Sequence, residues 1–328
     1  MKEVFVQNYC KENNISYLSN YIGIENLNYC EFKQIYVDTE MHSVVTNDFY
    51  IFENFERFKN PKKYREKFLL NSKAIQEKIK SSKTISGPSF YIGGENNYWH
   101  LIKDFIPKLN ILHEGNCQKN INLLVKSNLN DNYLNILNFF LEKLNLNNFR
   151  ILKLNDSFYK CEKIIISSCP TIKYSVNYYN KWIANNLKRK KDVGTNFYIS
   201  RDLASKRKII NENEIINILK KYNYEIVYCE KLTFEEQIKI FLNAKNIIAP
   251  HGAGLTNLFW SQKGTNVLEL SSPAVQPFFQ ALAQIKGINF SRMIGIDDPL
   301  DTREKSNHKN YFINESLFEN TIIKHKIY

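Results

Sequence analysis

The second half of the chain alternates short apolar runs with amphipathic stretches. "NFYISR" (196–201) is aromatic and β-branched and predicts a strand. "NENEIINILKKY" (211–222) places Ile215, Ile216 and Leu219 on one face, with Asn211 and Glu214 at the spacing of a capping box, and predicts a helix. "YEIVYC" (224–229) predicts a second strand. "LTFEEQIKIFLNA" (232–244) predicts a second helix, opened by the capping pair Thr233 and Glu236. "NIIAP" (246–250), "GLTNLFWS" (254–261) and "NVLEL" (266–270) predict a third strand, a short third helix and a fourth strand. This alternation predicts a parallel sheet covered on both faces, which binds ligands at the carboxyl ends of its strands.

The first half is mixed but mostly alternating. Strands are predicted at 31–38, 90–94, 120–127 and 162–168, and helices at "NYWHLIKDFIPKLNILHE" (97–114) and "NYLNILNFFLEKLN" (132–145). The expected fold is α/β, with two lobes and a cleft between them. Residues 1–175 form the first lobe, 176–192 a linker helix and 193–295 the second lobe. The polar tail 296–328, with a weak amphipathic helix at "ESLFENTIIKH", is expected to pack back on the first lobe.

Composition narrows the class. At 328 residues, 43% hydrophobic and 24% charged, the chain suits two globular domains. No run approaches the ~18 apolar residues of a membrane helix, and "MKEVFVQNYCKENN" lacks the pattern of a secretory leader, so a cytoplasmic location is expected. The cysteines at 10, 30, 117, 161, 169 and 229 form no C-x-x-C pair, which favours free thiols over a zinc site. A net charge of +12 favours an anionic partner, whether phosphate, acidic glycan or the inner face of a membrane. The densest basic run, "NLKRKKD" (186–192), reads as a solvated helix end or as a membrane-surface patch. No nucleic-acid recognition motif accompanies the charge.

Candidate chemistry gathers at predicted strand ends. In "IIAPHGAGLTN", Gly252 and Gly254 allow close backbone approach, a helix N-terminus favours an anion, and His251 can donate to a phosphate oxygen. The alternative is a tight strand-to-helix turn with an exposed His. Arg201 and Arg207 in "YISRDLASKR" fall at the same rim and suit bidentate phosphate contacts, or are surface ion pairs. Glu269 near the end of "NVLELS" can accept two hydroxyls of a ribose or sugar, and Glu230 after "EIVYC" is a similar candidate. Satisfied strand-end carboxylates are the plainer reading of both.

The ordered set "YISRDLASKRKIINENEI … EKLTFEEQIKIFLNAKNIIAPHGAGLTNLFWSQKGTNVLEL" resembles glycosyltransferase family 61. That family includes bacterial capsule and surface-polysaccharide enzymes and eukaryotic xylosyl- and N-acetylglucosaminyltransferases. A weaker likeness covers "GGENNYWHLIKDFIPKL", where His100 and Asp104 are four apart and share a helical face. The plainer reading of that stretch is an amphipathic helix with Trp99, Ile102 and Phe105 in the core and a surface His–Asp pair.

The resemblance implies a GT-B-like fold of two Rossmann-like lobes, the second holding a nucleotide-sugar donor, and transfer with inversion. The chain has no Asp-x-Asp motif, which fits a metal-independent enzyme without a cofactor. The expected donor is a UDP-sugar. The loop His251, Gly252, Ala253, Gly254 holds the phosphates, Arg201 and Arg207 neutralise the departing nucleotide, Glu269 orients the ribose and Asn257 adds a hydrogen bond. Tyr98 or Trp99 stacks on the acceptor sugar. Asp104, ahead of His100, takes the acceptor's proton. The acceptor is a glycan or lipid-linked oligosaccharide of a bacterial surface polysaccharide, with peripheral membrane contact. Two other readings stand beside this one: a polysaccharide pyruvyltransferase-type enzyme, and a non-catalytic member of a polysaccharide assembly complex.

Overall fold

A computed structural model describes residues 17–20, 27–39, 43–45, 72–115, 120–146, 148–156, 158–167, 169–188, 194–325 and 327. The chain divides into two units, Met1–Ser175 and Val176–Tyr328.

In the first unit the strands are β1 (Tyr17–Asn20), β2 (Leu27–Asp38), β3 (Ser43–Val45), β4 (Lys83–Gly93), β5 (Ile121–Lys126), β6 (Phe149–Leu154) and β7 (Phe158–Ser167). Helices α1 (Ser72–Lys80) and α2 (Asp131–Lys143) and a helical segment at 98–114 complete it. Asn130 caps α2 by accepting from the Tyr133 N–H. The sheet order is β1-β2-β7-β4-β5-β6, with β3 paired to β2. Strands β7, β4, β5 and β6 are parallel, as expected, but β1, β2 and β3 run antiparallel. The cause is the twelve-residue β2, which pairs antiparallel with β7 from Tyr29↔Ser167 to Asp38↔Phe158. Ile35, Val37, Tyr91, Leu124, Cys161 and Ile164 share its core. Strand β6 escapes the apolar pattern because it is an edge strand with charged Arg150 and Lys153.

The second unit follows the sequence pattern closely. Helix α3 (Ile172–Asn186) crosses the division, and β8 (Thr195–Ile199), α4 (Glu212–Lys221), β9 (Glu225–Val227), α5 (Phe234–Leu242), β10 (Ala244–Pro250), a 3-10 helix (Ala253–Phe259) and β11 (Asn266–Ser271) come next. The sequence pattern does not predict α6 (Phe278–Lys286) or β12 (Asn289–Ile294), which complete a five-stranded parallel sheet ordered β12-β11-β10-β8-β9. Ile247, Ile248 and Ala249 of β10 are fully buried, which explains the uninterrupted apolar run. The capping box of α5 forms as predicted, with Thr233 and Glu236 exchanging bonds.

Two expectations are corrected here, after one that gains detail. The helix expected at 176–192 forms as α3 over Ile172–Asn186. Tyr179 and Trp182 of α3 are buried edge-on against Trp260, at 4.7 and 6.1 Å between ring centroids. Part of the basic run beyond it, residues 189–193, lies outside the described residues. Asn211 does not cap α4; its amide instead donates to Ile313 O (2.8 Å) and accepts from Ile313 N–H (3.1 Å). The tail, expected on the first lobe, packs its apolar residues within the second unit. It contains β13 (Ile296–Asp297), β14 (Tyr311–Phe312) and α7 (Glu315–Lys324), and its Tyr311, Ile313, Phe318 and Ile322 are buried against Tyr198, Leu219 and Leu268. Those apolar residues need cover, and this sheet and α4 supply it.

Candidate functional site

In both sheets the chain reverses its direction of strand addition once among the parallel strands. In the second unit β9 lies on one side of β8, and β10 to β12 follow on the other. Ligands of such sheets bind where the carboxyl ends of the strands flank this reversal. Here that is the rim between β8 and β10, and the chain places Arg201 just after β8 and His251 just after β10.

Arg201 is held by its backbone and by its neighbours. Its N–H donates to the buried Glu212 Oε1 (3.1 Å), which also accepts from Tyr198 OH (2.7 Å), and its Nη2 donates to Lys206 O (3.1 Å). The guanidinium lies against Gly252: a Cβ there would sit 2.0 Å from Arg201 Nη1. Gly252 has an extended φ of 171°, so any residue fits its backbone, and the glycine is needed for the close approach. Arg207 stands nearby, in the left-handed region at φ 59°. Burial lowers the pKa of both guanidiniums, and the charge of Arg201 lowers that of Arg207 further. Arg201 Nε and Arg207 Nε are buried with no hydrogen-bond partner among the described residues. Orphaned charged donors side by side are costly, and an anion would satisfy both.

His251 is part of a buried chain of charge. Its Nδ1 donates to Glu269 Oε1 at 2.6 Å, and the other carboxylate oxygen accepts from Arg292 Nε. Glu269 is fully buried, and Arg292 is its in-register neighbour on β12. The expectation that Glu269 reaches ribose hydroxyls is therefore corrected: both its oxygens are taken, and its work is to keep the His251 proton on Nδ1 and leave Nε2 as the free ring nitrogen. Phe279 of α6 packs on the imidazole at 5.2 Å.

The remaining candidates of this unit separate. Asn257 is fully buried, donating to Gln237 Oε1 (2.8 Å) and accepting from Trp260 Nε1 (3.0 Å), so it fastens the 3-10 helix and does not face a ligand. That helix has only seven residues, so the anion-binding helix terminus expected after Gly254 is not built. Ala253 is exposed at its start, and Gly254 packs near Ile199, where a Cβ would meet Cγ2 at 3.3 Å. Glu230 is exposed on a 3-10 turn after β9, and its charge reaches Arg201.

In the first unit the reversal falls between β4 and β7, and the second candidate cluster forms there. After Gly93 the chain enters a helix at Tyr98–His100, widens into a π turn at Leu101–Phe105, tightens into a 3-10 turn at Ile106–Lys108, and ends as an α-helix at Leu109–Glu114. The predicted single helix is thus broken, and π turns recur at functional sites. His100 Nδ1 donates to Asp104 Oδ2 at 2.7 Å. The other oxygen, Oδ1, accepts from Lys103 Nζ and from the Cys169 thiol (3.0 Å), the latter carried beyond the end of β7. Burial alone would raise the Asp104 carboxyl, but the bonds from His100 and Lys103 bring it down to about 2. Burial and the neighbouring carboxylate push the Cys169 thiol up to about 12. Asp104 is therefore held as a carboxylate at neutral pH, and the bond to its Oδ2 engages His100 through Nδ1, with Nε2 outside the pair. Tyr98 and Trp99 are half-buried, with the Trp99 N–H capped by Asn97 Oδ1 at 3.0 Å and the Tyr98 ring 6.3 Å from Tyr133.

Arg292, Glu212, Lys103 and Cys169 were not singled out in the sequence. Only Lys103 and Cys169 carried a local signal, as a cation beside Asp104 and a thiol after a predicted strand. Among the described residues no group of three or more His, Cys, Asp or Glu is placed to hold a metal, and no helix is long and apolar enough to cross a membrane.

Comparison with known proteins adds a family. The model of the family described as Glycosyltransferase 61 matches residues 98–268. The EGF domain-specific O-linked N-acetylglucosamine transferase of Gallus gallus is 34% identical over 94 residues, which are 26% of this chain and 17% of that protein. Its counterpart in Drosophila melanogaster is 31% identical over 96 residues, covering 28% of this chain and 18% of that protein. The match thus spans under a fifth of the length of either relative. The solved structure of TibC, an iron-containing dodecameric glycosyltransferase from enterotoxigenic E. coli H10407, aligns with a TM-score of 0.33 at 9% identity, over 88% of this chain and 86% of that one.

Proposed function

The chain belongs to glycosyltransferase family 61, and on that premise we propose that it is an inverting, metal-independent, GT-B-type enzyme that moves a sugar from a UDP-sugar to a growing surface polysaccharide of capsule or lipopolysaccharide type. The observation that carries this reading is the grouping of Arg201, Arg207 and His251 at the strand-order reversal of a fully parallel sheet. Arg201 Nε and Arg207 Nε have no hydrogen-bond partner among the described residues, so both can donate to a diphosphate. The names of the relatives make N-acetylglucosamine the donor sugar to try first. The enzyme acts in the cytoplasm, where its +12 charge suits an anionic glycan or the inner membrane face.

In this mechanism Arg201 and Arg207 stabilise the charge that develops on the departing nucleotide, and His251, held at Nδ1 by Glu269, shares their rim. Glu230, the exposed strand-end carboxylate, takes the ribose role first expected of Glu269. The acceptor oxygen bonds to the anomeric carbon. The bond from that carbon to the phosphate oxygen breaks, and its electron pair leaves on the diphosphate. The acceptor's proton passes to His100 Nε2, while Asp104 holds the opposite ring nitrogen. Tyr98 or Trp99 stacks on the acceptor sugar.

The test is a thermal-shift panel with UDP, GDP, CMP, dTDP and ADP on the wild type and on His251→Ala. A ligand at ~100 times its dissociation constant adds ~2.7 kcal/mol and moves the midpoint by several degrees. One nucleotide that shifts the wild type and not the variant supports the donor site. A wild type that no nucleotide shifts, and that transfers no sugar from UDP-N-acetylglucosamine in the presence of a chelator, sinks the reading.

A further inference from the structure

The polar stretch after residue 295 carries no motif, yet it folds back along the arginine loop. Residues 201–208 and 301–310 are stitched together. Arg207 N–H donates to His308 O (3.3 Å), Arg303 Nη2 to Ser205 O (3.3 Å) and Lys208 N–H to Asn310 Oδ1 (3.0 Å). Arg303 Nη1 also holds His308 O at 2.9 Å, and Ile209 bridges Tyr311 in parallel. The outcome is that His308 Nε2 lies 3.4 Å from Lys206 Nζ, on the loop whose backbone carbonyl at Lys206 binds Arg201.

The charges that act on His308 are all cationic, and the loop's exposed Glu304 is not among them. The groups facing His308 are Lys206 and Arg207 from the first loop and Arg303 and Lys305 from its own. Asp301 is already committed to Arg303 (3.0 Å) and to the Asn310 N–H (2.8 Å), and Asp202 lies 3.8 Å from Lys208. Cations crowded in this way repel one another unless an anion joins them. A terminal phosphate is close to doubly charged at neutral pH, which is more than one guanidinium neutralises.

We propose that the tail loop 301–310 completes the donor site, with Lys206 and His308 binding the same nucleotide diphosphate as Arg201 and Arg207. This rests on the donor reading above and extends it: the diphosphate is held between the loop after the first strand of the parallel sheet and a segment about a hundred residues later. In the free protein, burial and then the charges of Lys206, Lys305, Arg207 and Arg303 press the His308 imidazole below its usual range. A bound anion reverses that field, so binding takes up a proton at His308.

The experiment is calorimetric titration of the full chain with UDP and, separately, with inorganic pyrophosphate, at about pH 6.5 in two buffers of different ionisation enthalpy. The chains compared are the wild type, Lys206→Met, His308→Asn and Arg207→Met. Each of the first two substitutions is expected to weaken both ligands about 10-fold, the loss of one charge-assisted hydrogen bond. Proton uptake, read from the buffer dependence of the enthalpy, is expected in the wild type and absent in His308→Asn, which a merely structural histidine would not produce. If Lys206→Met and His308→Asn bind both ligands like the wild type while Arg207→Met does not, the tail's role is overturned and the donor reading stands. If the wild type binds neither ligand, both fall. Pyrophosphate bound without UDP keeps the tail site and moves the donor to another nucleotide.

Discussion

Each unit builds a histidine–carboxylate pair at the reversal of its sheet, and the two pairs are made in opposite ways. His100 and Asp104 meet at 2.7 Å within one helical segment, four residues apart. His251 and Glu269 meet at 2.6 Å from neighbouring strands, eighteen residues apart. Both carboxylates spend their second oxygen on a cation, but Lys103 is the residue next to Asp104, whereas Arg292 comes from the adjacent strand in register with Glu269. The local pair stands on a π turn and shares its aspartate with the Cys169 thiol. The long-range pair joins the residue that follows β10 to the fully buried Glu269 inside β11. A helix terminus can shift without breaking a fold, but a charge chain across three strands cannot. The first pair therefore suits a proton acceptor that must adjust to its substrate, and the second a fixed binding element.

The largest effect that would break this contrast is on stability. Glu269→Gln leaves the half-buried Arg292 without a counter-charge and is expected to cost about 3 kcal/mol in urea unfolding. A cost below about 1 kcal/mol would mean that the chain of charge is not a structural unit.

Next in size is His100→Ala. It should lower turnover by about 10²–10⁴ while leaving UDP affinity unchanged, and equal losses in both would return His100 to a binding role.

Acid unfolding sharpens the comparison further. Asp104 has its folded pKa depressed to about 2, below its unfolded value. Its contribution is thus fully present above about pH 4 and lost as the pH falls towards about 2, and it amounts to about 2 kcal/mol. Asp104→Asn should flatten that limb of the stability–pH curve. A wild-type curve already flat between these values would contradict the pairing.

The smallest expected effect is that of Gly252→Ala. The added methyl group displaces the Arg201 guanidinium, a flexible side-chain end, so UDP affinity should fall about 10-fold with stability changed by less than about 1 kcal/mol. A loss of stability without loss of affinity would show that the close contact serves packing alone.

Legibility in the sequence followed burial. The strands of the second unit were readable because β10 is buried on both faces and α5 carries a complete capping box. Strand β12 was not, because as an edge strand it exposes Asn289 and Ile294 and loses the apolar pattern, and Arg292 was hidden with it. Helix α6 starts at Pro277 without a side-chain cap. The signal that would have marked it is Gly287, left-handed at φ 69° just past its end. In the first unit the antiparallel β1, β2 and β3 disguised a sheet whose other four strands run parallel.

By itself the sequence determined the elements that local period and local spacing control: the alternation of strand and helix, the i,i+4 meeting of His100 with Asp104, and the positions of Arg201 and His251 just past strand ends. Tertiary structure alone decided what depends on strand order and register. It turned Glu269 inward between His251 and Arg292, buried Asn257 against Gln237 and Trp260, and laid the tail along the arginine loop. The physical reason is range. A helix turn or a cap is satisfied by residues a few positions away, whereas the partner of a buried charge is whichever strand the folded sheet sets beside it, and no local pattern of residues names that strand.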